Sequence, residues 1–427
     1  MMAKTVREPA REIPVAAEVD VLVIGAGPAG LGAAIAAARS GAKVLVLEQS
    51  GMPGGVSTAG LMSHWTGTSG SRLYREVLRR SAEMNEGELH GRPVIEIDPE
   101  KLKLLYLEML EEAGAALRLY TFVSEPVMER DRILGVIAES KSGREAFLAK
   151  IVIDASGDGD VAAKAGVPYT LGREEDHKMQ PATLMFKVAG VDTERAVFLP
   201  SFESTYETPK GELQALAREK LPHPAGHVLL YRSTLPGIVT CNMTNCTGVD
   251  GTKAEDLTRA EIVCRRQIYA IEAFLREYVP GYENCYVISA APMVGIRETR
   301  HFEGRYTLTG EDILAARTFD DWIVRGAHFN FDVHNLDGAG LDRTGAQKEF
   351  PEVGGYTIPY RSLLPKKIKG LMLAGRNISG THMAHSNFRV MPICLAMGEG
   401  AGTCAALAIR DGVDPDGIDV REAQALL

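Results

Sequence analysis

Residues 381–402 read THMAHSNFRVMPICLAMGEGAG. His382 and His385 stand three apart, Arg389 follows, and a proline and small apolar residues come next. Imidazoles exchange protons near neutral pH, with an ordinary pKa of about 6.5. A guanidinium holds a carboxylate through two parallel hydrogen bonds. The trio could therefore take a proton and anchor an acid at one place. Pro392 suits the first turn of a helix, and the free N–H groups of a helix start favour negative charge. The same residues also suit a hydrogen-bonded loop running into a buried helix. Arg297, Glu298 and Arg300 in GIRETR, His334 in FDVHN and Arg361 in PYRS are further polar candidates. Each of these could equally serve in a structural ion pair.

What these residues do depends on what the other end of the chain holds. Residues 20–48 read DVLVIGAGPAGLGAAIAAARSGAKVLVLE. Val21–Ile24 is a short apolar run suited to a buried parallel strand. Gly25, Gly27 and Gly30 form G-x-G-x-x-G, the helix former Ala33–Arg39 follows, and a second apolar strand ends on Glu48. Gly25 permits the tight turn, Gly27 a close approach to a pyrophosphate, and Gly30 close helix–strand packing. The helix start offers N–H groups to phosphates, and Glu48 offers a carboxylate to a ribose. The strand, helix and acid at their expected distances make this a dinucleotide site rather than a glycine-rich turn. The sequence SGMPGGVSTAG follows. Its Gly54-Gly55 doublet, with Val56, Ser57 and Thr58 after it, resembles the second contact segment of FAD-binding flavoproteins. There glycines allow close approach and hydroxyls meet phosphate oxygens. No second such fingerprint lies on a strand–turn–helix, so a separate NAD(P)H domain is not expected.

Composition bounds the rest. At about 100–200 residues per domain, 427 residues make two domains. Lys and Arg number 47 against 56 Asp and Glu, a net charge of −9. Nucleic-acid binding needs clustered basic residues, and none stand out, so it is excluded. Six cysteines form no C-x-x-C pair, which argues against iron–sulfur and structural zinc sites; no metal is expected. Val21–Ala38 carries no charge and is long enough to span a membrane. Its glycines and proline read instead as strand, turn and helix. No membrane span is expected, and the protein is read as cytoplasmic.

Asp98–Ala113 reads as an amphipathic helix with an acidic first turn. Ala116–Val127 reads as one strand, and Ile133–Ser140 with Glu145–Ile153 as a hairpin. IVIDASGDGDVAAKAG, residues 151–166, is a strand, a glycine-rich turn and a helix. Asp158 and Asp160 either approach a cofactor or cap that helix. Within 181–355, Ala182–Val191, His227–Met243 and Tyr286–Leu308 are strand-like and Thr258–Tyr278 is a long helix. KGLMLAGRNISG is a returning strand, and residues 390–412 form a helix rich in glycine and alanine.

Taken in order, Gly25–Glu48, Gly54-Gly55, Asp154–Asp160, Gly375-Arg376 and Arg389–Gly402 resemble the bacterial FAD-dependent oxidoreductase family. That family is a relative of the fumarate reductase and succinate dehydrogenase flavoprotein group. MVGIRETRHFEGRYTLTGEDIL, YTIPYRSLLP and LAGRNISGTHMAHSNFRVMP are similar to its signature segments. The resemblance covers nearly the whole chain and implies an α/β fold. A Rossmann-like FAD-binding domain of the two-dinucleotide-binding-domain flavoprotein type takes 18–65, 98–180 and 356–427. An inserted α+β antiparallel-sheet substrate domain takes 66–97 and 181–355. The implied cofactor contacts are Gly25, Gly27, Pro28, Ala29, Gly30, Glu48, Gly54, Gly55, Val56, Ser57, Val123, Ala155, Gly157, Asp158, Gly375, Arg376, Val390, Met391 and Ile393. The C-terminal helix start would face the flavin ring, with His382, His385 and Arg389 at its edge and Arg297 on the opposite wall. The chain lacks the paired iron–sulfur cysteine motifs of heterodisulfide reductase relatives. His64 is a weak match to the histidine that binds flavin covalently in the succinate dehydrogenase group, so noncovalent FAD is expected. The expected activity is dehydrogenation or oxidation at a C–OH or C–N bond of a small polar metabolite. A reductase of an activated C=C bond, a flavin monooxygenase and a flavin-loaded scaffold are the alternatives. The electron acceptor and any homo-oligomer are left open.

Overall fold

The structure is a computed structural model that describes residues 5–85, 88–89, 92–93, 95–341 and 355–427. The parts of the expected insertion at 86–87, 90–91, 94 and 342–354 lie outside the described residues. The first half runs β1 (Val15–Ile24), α1 (Pro28–Arg39), β2 (Val44–Leu47), α2 (Pro99–Ala113), β3 (Ala116–Arg118), β4 (Phe122–Glu129), β5 (Arg132–Ser140) and β6 (Gly143–Asp154). β1 lies between β2 and β6 and runs parallel to both, with Val21 opposite Val44 and Ile151. β3 extends the parallel sheet beyond β2. Besides β1, the long β6 serves two further partners: its first half pairs antiparallel with β5, and Val152–Asp154 pairs parallel with the strand Leu371–Leu373. All-apolar Val44–Leu47 is fully buried, as strands covered on both faces require.

The expected single strand Ala116–Val127 is two strands at opposite edges of this sheet. The chain turns at Tyr120, which takes a left-handed φ of +54°, and its apolar pattern gives no sign of that break.

The inserted sheet holds β7 (Phe186–Ala189), β8 (Leu230–Arg232), β9 (Val239–Cys241) and β10 (Tyr286–Ala290), in the order β8-β9-β7-β10. Its helix α3 spans Ala254–Tyr278. Phe186, Val188, Val239 and Cys241 pack with Cys264, Ile268 and Ile271 of α3 in one buried core. Tyr231, Thr240 and Lys187 are directly opposed across three strands, so they share the other face. On that face His64 lies edge-on to Tyr231 at 4.7 Å.

The chain returns through β11 (Leu371–Leu373), α4 (His382–Phe388) and α5 (Met391–Asp411). Buried apolar residues from Phe302 to Val333 pack in the core of the first sheet, not in the inserted one. The expected insertion over 181–355 is therefore shorter in packing terms. Trp322–Ala327 pairs with Tyr356–Pro359, and Ile323 lies so close to α5 that a Cβ on Gly400 would stand 2.9 Å from it.

α1 and α5 are in very close contact. A Cβ on Gly398 would lie 2.0 Å from the Ala29 carbonyl oxygen, and one on Gly402 would lie 2.1 Å from that of Ala33. Both contacts advance four residues on each helix, so the helices run parallel. Their starts point the same way, beyond the ends of the parallel strands, where this architecture binds ligands. α5 is long and apolar enough to cross a membrane, but 89% of that stretch is buried inside the protein. It is a core helix here.

Candidate functional site

The three fingerprint glycines have distinct jobs. Gly25 takes φ +93°, and a Cβ there would strike the Ala155 carbonyl oxygen at 2.7 Å. At Gly30 a Cβ would lie 1.8 Å from the Gly25 carbonyl oxygen. At Gly27 nothing stands within 4 Å. Gly25 and Gly30 are thus required by packing, while Gly27 leaves open space in front of the helix start. Pro28 and Ala29 follow as the first residues of α1, and Gly27 caps it without a side chain. Glu48 accepts the N–H groups of Ala26 and Ser50, both at 2.8 Å, and so fixes the turn.

The second glycine segment closes on the first. Gly54, at φ +109°, donates its N–H to the Ala26 carbonyl at 2.7 Å. A Cβ on Gly55 would lie 3.1 Å from the Gly27 Cα. Val56 is exposed. The hydroxyls behave differently from expectation. Ser57 donates to the Gly54 carbonyl and Thr58 to the Pro53 carbonyl, each at 2.6 Å, and both are buried. Their protons are committed to the loop, so neither side chain is free to donate to a phosphate.

Ala155 donates its N–H to the Ile24 carbonyl, and Val123 sits in the β4–β5 ladder opposite Ala138. Asp158 forms an ion pair with Arg376 at 2.8 Å and accepts from Thr299 at 2.6 Å. These two expected cofactor contacts neutralise each other, and Gly157 leaves room for the Arg376 guanidinium. Asp158 does not cap the following helix; Asp154 does, accepting from the Ala162 N–H at 2.8 Å. Gly375, at φ +99°, sets the returning chain against Ala29, 3.0 Å from where its Cβ would be.

At the start of α5, Val390 is the N-cap with no side-chain cap, and Met391 and Ile393 are buried. Ser69 donates to the Pro392 carbonyl at 3.1 Å. Beside this segment, the buried Trp65 Nε1 and Thr66 Oγ1 have no hydrogen-bond partner. Open space at Gly27, an uncapped helix start and orphaned polar atoms together fit a dinucleotide with its ring at the start of α5.

The segment expected as a loop is helix α4, capped by Thr381. Helical spacing puts His382, His385 and Arg389 on one face. Glu298, fully buried, accepts from His301 Nε2 at 2.8 Å and His382 Nδ1 at 2.6 Å. Burial pushes the Glu298 carboxyl up, yet these two hydrogen bonds hold it well below its ordinary range. Burial pulls His382 down, but the Glu298 carboxylate outweighs that and raises it. Glu298, His301 and His382 could in principle hold a metal. Ligands about 2.1 Å from a tetrahedral metal would stand about 3.4 Å apart. The observed separations are those of hydrogen bonds.

His385 is 1% exposed. It packs edge-on to His301 at 5.0 Å, with Nδ1 unpartnered. Burial, with His301 nearby, drops its pKa well below the ordinary value. His385 and His382 are therefore both buried, behind the partly accessible Arg389. Arg297, Tyr231, His64, Arg389 and Asp332 form a neighbouring polar cluster, and all are partly accessible. Arg389 pairs with Asp332 at 2.9 Å, and His334 approaches the same carboxylate at 3.4 Å. Arg297 donates to the Pro181 carbonyl at 2.5 Å and to Thr183 Oγ1 at 2.7 Å. Arg300 instead pairs with Asp160 at 2.8 Å, and Arg361 with Asp321 at 2.9 Å near the surface. Asp332, His301, Tyr231 and Gln180 were not singled out from sequence. The D-x-H spacing of Asp332 and His334 was the available signal for the first of these.

The two glycine turns and two parallel helix starts define a dinucleotide-binding flavoprotein fold. The chain belongs to the FAD dependent oxidoreductase family, whose model matches residues 20–427; it is an FAD-dependent enzyme. It is 31% identical over 194 residues to digeranylgeranylglycerophospholipid reductase 2 of Methanopyrus kandleri, covering 42% of this chain and 46% of that one. It is 32% identical over 170 residues to thiamine thiazole synthase of Methanococcus maripaludis, covering 37% and 61%. The matches thus span about half of these curated relatives. A geranylgeranyl bacteriochlorophyll reductase-like protein of Thermoplasma acidophilum shares the fold with a TM-score of 0.50, 15% identity and 96% and 83% coverage. A triple mutant of the flavin-dependent brominase Bmp2 gives 0.51, 14%, and 96% and 83%.

Proposed function

We propose that the chain is an FAD-dependent dehydrogenase or oxidase acting on a C–OH or C–N bond of a small polar metabolite. The observation that carries this reading is the partly accessible polar cluster of Tyr231, His64, Arg297 and Arg389. An isoprenoid chain would have to bury against them at a cost in desolvation. We assign noncovalent FAD to the open space before Gly27, with the pyrophosphate between Gly27 and Gly55 and the ring at Val390–Ile393. We propose that a small-molecule substrate lies between that ring and the inserted sheet.

Bound FAD would supply the hydride acceptor. The accompanying proton goes to His64. Burial lowers its pKa, with Glu96 opposing, so its imidazole is neutral at pH 7. Its Nδ1 lies 2.8 Å from Ser63 Oγ; with the Nδ1 proton directed there, Nε2 is the acceptor. The start of α5 favours negative charge on the reduced ring. His385 supports the α4 face that carries Arg389. A C=C reductase, favoured by the names of the reductase relatives, would use the same groups in reverse. Kinship with the fumarate reductase group and a cytoplasmic site of action complete the reading.

His64→Gln tests it. Flavin reduction by substrate in the absence of oxygen should slow at least about 100-fold with FAD still bound; an unchanged rate would remove His64 from the mechanism.

A further inference from the structure

The groups around Arg297 do not balance in charge. Two guanidiniums, Arg297 and Arg389, face one carboxylate, Asp332. Arg389 holds that carboxylate directly, at 2.9 Å, and also its backbone carbonyl. Among the described residues, Arg297 has no carboxylate in ion-pair range; its recorded bonds go to Pro181 and Thr183. A further carboxylate, Glu298, accepts the Gln180 N–H at 3.1 Å but is already shared by His301 and His382. His334 is pushed down to about 4 by burial and by Arg297, so it is neutral at pH 7. Burial raises the Tyr231 phenol, so it too is neutral. Among the described residues, Arg297 is thus left without a carboxylate partner of its own.

An enclosed cation without a counter-charge is costly. Arg297 itself is brought down to about 10, by burial first and then by Arg389. Its carbonyl and hydroxyl partners fix the plane of the guanidinium without neutralising it. Gln180, 2% exposed, adds a second sign: its Nε2 has no hydrogen-bond partner, while its Oε1 accepts from the His334 N–H. Gln180 immediately precedes Pro181, whose carbonyl holds Arg297. A fixed fork of donors, an idle amide donor and a guanidinium without a carboxylate of its own are what a single carboxylate requires.

We propose that this site takes a substrate bearing one carboxylate, anchored by Arg297, with the amide of Gln180 available as a further donor. Arg389, the carboxylate clamp expected from sequence, is already engaged with Asp332. This inference deepens the oxidoreductase reading above and rests on it.

The test uses FAD-loaded protein titrated with acetate, glycolate and L-lactate, and with acetamide, glycolamide and lactamide. Binding is read from the visible flavin spectrum and, independently of the flavin, from the thermal midpoint. Saturable shifts with the acids and none with the amides at the same concentrations are expected. Arg297→Met should weaken acid binding at least 10-fold, Arg297→Lys should fall between, and the surface variant Arg361→Met should bind as the wild type does. If Arg297→Met loses its fold, Thr183→Val, which removes one bond fixing the guanidinium, should weaken binding at least threefold. Equal responses to acids and amides, or variants with unchanged affinity, would overturn the carboxylate proposal while leaving the flavoprotein reading intact. Protein that takes up no FAD contradicts the earlier reading instead, and the thermal midpoints still decide this one.

Discussion

Gly398 lies against Ala29 so closely that any Cβ at Gly398 would stand 2.0 Å from the Ala29 carbonyl oxygen. This contact sets the start of α5 relative to the start of α1, and therefore one end of the proposed dinucleotide site relative to the other. Gly398→Ala should force the helices apart, at the roughly 1–3 kcal/mol typical of overpacking. The expected result is a lower thermal midpoint together with weaker FAD binding. Weaker stability with unchanged FAD affinity would separate the helix contact from the site.

Gly27 and Gly30 make a sharper contrast. Gly27→Val places its side chain in open space, whereas even Gly30→Ala drives a Cβ to 1.8 Å from the Gly25 carbonyl oxygen. The first variant should fold with an unchanged circular dichroism spectrum and purify colourless. The second should lose stability as well as flavin. A yellow, fully loaded Gly27→Val protein would contradict the assignment of the pyrophosphate.

The hydrogen-bonded trio His301–Glu298–His382 should be visible in the pH dependence of stability. Glu298 lies below its ordinary pKa of 4.5 in the folded protein. Its contribution is present above that value and is lost as pH falls toward the folded one. His382 lies above its ordinary 6.5. Its contribution is full below 6.5 and is lost as pH rises through the folded value. The pair therefore stabilises most between those two ordinary values. Glu298→Gln should remove that maximum and lower the thermal midpoint most there. A parallel drop at every pH from 4 to 9 would show that the network is not titrating as described.

Much of this was legible in the sequence where backbone geometry demands particular residues. Gly25, Gly30 and Gly54-Gly55 stand at fixed spacings because turns and close helix contacts admit nothing larger, while Gly27 keeps the helix start open, so the α/β fold could be read directly. Side-chain roles were less legible. Ser57 and Thr58 looked like phosphate donors, but their own loop offers nearer carbonyls. Asp158 and Arg376 are 218 positions apart and neutralise each other, a pairing no local pattern reveals. His382 and His385 were found, yet their burial depends on Glu298 and His301 arriving from another strand segment. The break at Tyr120 was hidden because apolar residues continue on both sides of it. Residues 302–333 were assigned to the insertion because their strands follow those of the inserted sheet in sequence, while their buried apolar residues join the core of the first sheet.

The most direct test of the central claim is the anaerobic visible spectrum of FAD-loaded protein. It is recorded before and after adding NADH, NADPH and a panel of small hydroxy acids, amines and sugars. The account predicts that the nicotinamides leave the flavin bands in place and that a hydroxy or amino acid bleaches them. Bleaching by NADPH within seconds, with no response to any oxidisable metabolite, would contradict it and point to a reductase or monooxygenase.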